Sequence, residues 1–219
     1  MIPTIADTLC TAKRSRRKEA RPGELLSAAM TLFTEKGFAA TRVEDIAKRA
    51  GVSKGTLFLY FSSKEDLFKA VVRENIQGRF SEWREMIDTF EGSTRELIHT
   101  CTQQWWEHMV NTNAAGIDLV LINEGEHFPD LVHFYQTEVM MPGHALVRTV
   151  IERGIAKGEF RPLNAEYATY SLVALMNFMN LVKHKPAFVL PQIRSLDMTH
   201  YLATQVDYIL HGFNAPSAP

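Results

Sequence analysis

Cysteine is nearly absent, Cys10 and Cys101 being the only two in 219 residues. That is too few for a disulfide framework, and no close pair offers the spacing of a zinc site. A run long and apolar enough to span a membrane is missing. The first twenty residues, which include "AKRSRRKEA", hold no apolar stretch of the length a secretory signal needs. The expected setting is the reducing cytoplasm, with no membrane as partner. Also lacking are the phosphate loop G-x-x-x-x-G-K-[ST], the dinucleotide G-x-G-x-x-G, the nucleophile G-x-S-x-G and the metal motif H-E-x-x-H. "GVSKGT" only imitates a phosphate loop, because no strand precedes it. His127, His133 and His144, with Glu124 and Glu126 nearby, contain no i, i+4 histidine pair. These absences predict no metal and no cofactor, and they make an enzyme the weaker reading.

What is present is helical. Leu25, Ala28, Ala29, Leu32 and Phe33 recur three and four apart until Gly37, the spacing of one buried helix face, and no alternating stretch argues for a strand. Hydrophobic residues form 46% of the chain, enough for a core of domain size. The expected fold class is all-α. Charge is divided unevenly: residues 1–64 hold 12 Lys+Arg against 6 Asp+Glu (+6), and the remainder holds 12 against 19 (−7). A basic N-terminal unit on an acidic body points to a polyanionic partner.

Within that unit a second helix is expected from Thr41, capped by the threonine hydroxyl with Glu44 closing the box, and buried through Val43, Ile46, Ala47 and Ala50. Gly51 supplies a sharp turn, Ser53 caps a short third helix, and Leu57 and Phe61 face inward. Ala47, small where two helices cross closely, completes a helix-turn-helix. Such a motif lays the start of its second helix against base edges. Lys54 then reaches guanine, Thr56 a phosphate or a thymine methyl, and Gly55 lets the backbone come close. Tyr60 offers its hydroxyl to a phosphate, and Lys64 opens a fourth helix beside one. The bland reading, solvated lysines over core aromatics, suits Phe61 alone.

Residues 25 to 72, "LLSAAMTLFTEKGFAATRVEDIAKRAGVSKGTLFLYFSSKEDLFKAVV", resemble the DNA-binding domain of the TetR-like transcriptional regulators. The resemblance implies a mostly helical homodimer, with an N-terminal three-helix unit that grips double-stranded operator DNA. It also implies a larger helical C-terminal domain for ligand binding and dimerisation. Carried over by position, Lys54, Gly55 and Phe58 approach bases, while Thr41, Thr56, Tyr60 and Lys64 approach the backbone. Leu59 departs from the pattern, standing where many relatives carry a polar or aromatic residue. A repressor is the implied default. A nonspecific nucleoid-type binder is the alternative, recognisable by salt dependence without sequence preference.

The expected layout is a basic arm over 1–20, the helix-turn-helix domain over 21–72, an effector-binding and dimerisation domain over 73–213 and a tail over 214–219. The arm either stays a solvated tail that adds nonspecific affinity or enters a neighbouring minor groove. The fourth helix is expected to reach about Phe90. In the next, neighbours lie about 100° apart, so one of Trp105 and Trp106 faces the core and the other an interface or cavity. A break at Phe128-Pro129 and a kink at Pro142 follow. Trp105, Trp106, Met109, Phe134, Met140 and Phe178 are the expected lining for a small, largely apolar effector. Two final apolar helices, Asn164 to His184 and Arg194 to His211, are expected to build the homodimer.

Overall fold

The first helix, α1 (22–36), buries Leu25, Ala29 and Phe33 completely, the face that the sequence spacing marks. The computed structural model describes residues 22–112 and 114–214; the basic arm, Cys10 and residues 215–219 lie outside the described residues. α1 stops at Gly37, whose φ of +84° glycine adopts without steric cost and whose N–H closes on the Phe33 carbonyl at 2.9 Å. Then come α2 (Val43–Arg49), α3 (Lys54–Phe58) and α4 (Lys64–Asn75). Phe33, Phe38 and Phe68 meet with ring centroids 5.3 to 5.5 Å apart. Contacts of this kind add about 0.5–1.5 kcal/mol each beyond the area they bury.

α4 ends well before Phe90. Ile76 leaves helical backbone (φ −123°, ψ −60°), a 3-10 turn spans Gln77–Arg79, and α5 (Phe80–Thr89) starts afresh. The turn contains Gly78, a poor helix former, and the Asn75 side chain bonds back to the Val71 carbonyl at 2.8 Å. α6 (Thr94–Asn111) opens on a reciprocal box between Ser93 and Glu96.

α7 (Ala114–Glu124) runs into a 3-10 turn, Gly125–His127, and the expected break falls at Phe128, with Pro129 as the first residue of α8 (Pro129–Tyr135). The expected kink at Pro142 takes the form of a π-helical turn, Gln136–Met140, ahead of α9 (Met141–Ala156). Pro142 has no N–H to return to the preceding turn, and the widened turn absorbs that loss. α10 (Ala165–His184) is followed by a separate short helix, α11 (Pro191–Arg194), and by α12 (Met198–Phe213). The last long helix thus begins later than Arg194, because the Asp197 carboxylate accepts from the amides of Thr199 and His200 and fixes the start there.

α10 packs against α9 and α12, and α6 lies against both of these. Leu97, Ile151, Met179, Val206 and Leu210 are fully buried in this bundle. One apolar cluster continues from it through Leu67, Val71 and Val72 of α4 into the N-terminal unit. Phe128 adds an edge-on contact with Phe38 at 4.8 Å, so the α7–α8 break seats directly on the loop after α1. The fold is all-α, a small N-terminal helical unit carried on a larger helical domain. Among the described residues no helix is long and apolar enough to cross a membrane.

Candidate DNA-binding surface and the domain junction

The turn between α2 and α3 closes by backbone bonds from Ala50 to Ile46 (2.9 Å), Gly51 to Lys48 (3.1 Å) and Val52 to Ala47 (2.9 Å), with Gly51 at φ +67°. Ser53 caps α3 by accepting from the Thr56 amide at 3.0 Å, and its Oγ also lies 2.8 Å from the Thr56 hydroxyl. Leu57, fully buried, anchors the helix. Opposite that anchor Lys54, Phe58 and Leu59 are exposed, Leu59 by 82%. A side chain at Gly55 would meet only Ser53 Oγ at 3.8 Å, so no packing within the chain requires glycine there. Lys54 is paired with Glu44 at 2.6 Å and lies 5.8 Å from the centre of the Phe58 ring. That ammonium holds the Glu44 carboxyl below its ordinary range. Tyr60 is half-buried beside this face.

Two residues expected at the DNA backbone are used otherwise. Thr41 is only 2% exposed, and its hydroxyl donates inward, to the Gly37 carbonyl at 2.6 Å with the Leu32 carbonyl at 3.1 Å. It therefore neither caps α2, whose N-cap is Arg42 without a side-chain bond, nor presents its hydroxyl to a phosphate. Lys64 points its ammonium at the carbonyls of Phe38 (2.8 Å), Thr41 (3.1 Å) and Ala39 (3.3 Å) and lies 4.3 Å from the Phe38 ring centre. Its three N–H donors are spent on the loop between α1 and α2.

The same loop is held from its other side by Glu124, at the end of α7. One carboxylate oxygen accepts from the Phe38 amide at 3.0 Å and the other from the Ala39 amide at 2.6 Å. A Cβ on Gly37 would lie 2.0 Å from Glu124 Oε1, so glycine is needed here both for its positive φ and for this approach. Farther along α4, Arg73 donates to both oxygens of Glu138 in the π-turn (2.8 and 2.6 Å) and stacks over Phe134. The N-terminal unit is thus tied to the larger domain at both ends of α4. Lys64→Met is expected to lower stability by about 1–2 kcal/mol, the cost of loop carbonyls left without donors. The slope of operator affinity against salt should stay as in the parent, whereas loss of a phosphate-bound lysine would reduce it by about one unit.

The residues expected to line an effector site are mostly packed in the core. Trp105 and Trp106 are both buried, with ring centroids 6.2 Å apart, and Met109 and Phe134 are core residues. Met140 is 56% exposed at the end of the π-turn, and Phe178 packs its ring 6.0 Å from that of Tyr201. Neither tryptophan faces outward, and α6 packs against both α9 and α12. A cavity of about 270 Å³ lies elsewhere, at the junction, between the end of α1, one face of α7 and the end of α10. Sequence reasoning also missed a buried polar group. Asp118 of α7 accepts from the Tyr135 hydroxyl of α8 and, at 3.0 Å, from the Asn180 amide of α10. Burial raises its carboxyl to about 6. Among the described residues no cluster of histidine, cysteine and acidic side chains is placed to hold a metal.

A helix-turn-helix whose second helix leaves Lys54, Phe58 and Leu59 exposed, packed on a larger helical body, is the arrangement of DNA-binding regulators. Residues 25–71 match the family of bacterial regulatory proteins of the tetR type, and residues 96–211 match the C-terminal domain of AefR-like transcriptional repressors. The chain belongs to the TetR family of transcriptional regulators, DNA-binding proteins rather than enzymes. It is 32% identical over 151 residues to the transcriptional repressor KstR2 of Rhodococcus jostii, covering 66% of this chain and 70% of that one. With the regulator RutR of Escherichia coli K12 it shares 52% over 64 residues, 29% of this chain and 30% of that one. In fold it is similar to FadR of Bacillus subtilis, solved with stearoyl-CoA, at a TM-score of 0.70 and 18% identity over 87% of this chain and 98% of that one.

Proposed function

We propose that the chain is a one-component transcriptional repressor that binds a near-palindromic operator as a homodimer and releases it when a small molecule binds. The observation that carries this reading is the α3 surface: a buried anchor at Leu57 beneath exposed Lys54, Phe58 and Leu59, with open space over Gly55. In this reading Lys54, Gly55 and Phe58 meet base edges, and Thr56 and Tyr60 meet the backbone. Thr41 and Lys64 act indirectly, by shaping the loop that leads into α2. Leu59 adds an apolar contact suited to a thymine methyl. The repressor sense is supported by the similarity to KstR2, and a small-molecule trigger by the stearoyl-CoA that its structural neighbour FadR carries. Dimerisation is assigned to α10 and α12, whose outer faces carry exposed tyrosines.

The test is selection of preferred sites from random duplex DNA, followed by affinity measurements on the recovered site. Lys54→Ala is expected to cost about 1–2 kcal/mol on that site and to relax the preference at one base pair per half-site. The loss falls toward the lower part of the usual range because Lys54 must first leave Glu44. Equal binding of all duplexes by the parent, with affinity set by salt alone, would instead identify a nonspecific binder.

A further inference from the structure

Between Thr41 and Phe61 the chain carries only two acids, Glu44 and Asp45, both in the first turn of α2. Asp45 is paired with Lys36 of α1 at 3.4 Å. Glu44 instead meets the reading helix, where its carboxylate lies 2.6 Å from the Lys54 ammonium. The two side chains stay more than half exposed, 54% for Lys54 and 56% for Glu44, so the pair belongs to the surface. An acid is out of place on a face that meets a polyanion, because phosphates repel it and a surface ion pair adds little to the stability of the fold. A base edge can use it. In the major groove a G·C pair presents two acceptors on guanine beside an amino donor on cytosine. Lys54 can only donate, and the Glu44 carboxylate, kept ionised by its bond from Lys54, can only accept. Side by side they form the complement of that edge.

We propose that Glu44 is a base-reading residue, accepting from the amino group of the cytosine in the same base pair whose guanine Lys54 reads. The assignment rests on the operator-binding reading above and names a further contact of that surface. As the protein docks the ion pair opens, Lys54 turning to guanine and Glu44 to cytosine, so that neither charge is left alone. Opening costs little, because water already screens an exposed pair.

Other base pairs suit the two charges less well. With adenine under Lys54, the ammonium meets one acceptor beside an amino donor, and Glu44 faces the carbonyl oxygen of thymine. A reversed pair puts the acceptors of guanine under Glu44 and the amino group of cytosine under Lys54. In each case the carboxylate gives up water for an acceptor and gains no bond. Glu44 therefore selects by exclusion as well as by attraction.

The test uses the full chain and the operator recovered by selection. At the base pair whose preference Lys54→Ala relaxes, the duplex carries either cytosine or a cytosine analogue that lacks the exocyclic amino group. The parent is expected to bind the analogue duplex about tenfold more weakly, whereas Glu44→Ala should bind the two duplexes within about twofold of each other. A pair that only fastened α2 to α3 would leave this difference untouched. Glu44→Ala should also lose about tenfold of the preference for G·C over A·T at that position. Random duplexes should bind this variant about twofold more tightly than the parent, a gain that fades as salt is added. Its thermal unfolding should match that of the parent. A parent indifferent to the analogue, an equal loss for parent and variant, or an unchanged G·C preference in Glu44→Ala would overturn the proposal. A parent that selects an operator in which that pair is not G·C refutes the Glu44 assignment alone. A parent with no base preference at any position refutes the operator-binding reading, and the assignment falls with it.

Discussion

Replacing Tyr167 and Tyr208 together by glutamate is expected to produce monomers and to weaken binding to the full operator by about a hundredfold or more. Tyr167 on α10 is 76% exposed and Tyr208 on α12 is 66% exposed, large aromatic faces left uncovered by the chain's own bundle. On α10 the positions 167, 170, 174 and 177 are all exposed and recur three and four apart, so they form one stripe. Paired with its mate across a twofold axis, the stripe and α12 would make a four-helix bundle. Glutamates placed there would be buried in the dimer without a partner, at a cost of several kcal/mol. Each monomer could then engage only one half-site. Sedimentation velocity and operator titration check this, and a double variant that stays dimeric would move the interface off these helices. Leu202 is a different kind of position, 3% exposed within the chain's own core, so Leu202→Glu should unfold the domain instead of separating subunits.

Asp118→Asn is expected to stabilise the protein at pH 8 by about 2 kcal/mol, an unusual direction for a change in a buried network. Burial is the leading cause of the raised carboxyl, at about 6 against an ordinary 3.8, while the bonds from Tyr135 and Asn180 offset only part of it. The residue keeps partial exposure at its edge, which places the effect below the full value that the shift would imply. The folded chain binds the proton more tightly than the unfolded chain. Its contribution is therefore complete below about pH 4 and is lost as pH rises through about 6. Asparagine removes the charge but keeps an acceptor for Tyr135. Asn180 can then turn its amide so that its Oδ1, now without a partner, accepts from the new side chain. Urea midpoints for parent and variant should converge near pH 4 and differ most at pH 8, to within about the stated size. A variant less stable than the parent at pH 8 would mean that the Asp118 charge is compensated in the folded chain.

The local framework of the fold was legible in the sequence. Gly37 and Gly51 take positive φ where the turns were expected, and Ser53 caps α3. Each of these depends on groups a few residues apart, and a backbone amide three positions along a nascent helix is always within reach of a capping side chain. The helix-turn-helix was readable for the same reason. Its turn, its small crossing residue and its anchor all lie between Ala47 and Leu57.

Tertiary structure decided what several side chains do. Lys64 has the charge and position of a phosphate contact, yet its ammonium goes to carbonyls 23 to 26 residues earlier in the chain. Glu124 stood beside histidines as a conceivable metal ligand, and its carboxylate instead holds amides 85 and 86 residues away. Trp105 and Trp106 could not both face one neighbour, yet both are buried, on a helix that packs against more than one other. Periodicity reports which face of a helix is apolar. It carries no information on which distant carbonyl or amide lacks a partner, and that deficit, created only when the helices pack, is what fixes the use of a buried or half-buried polar group.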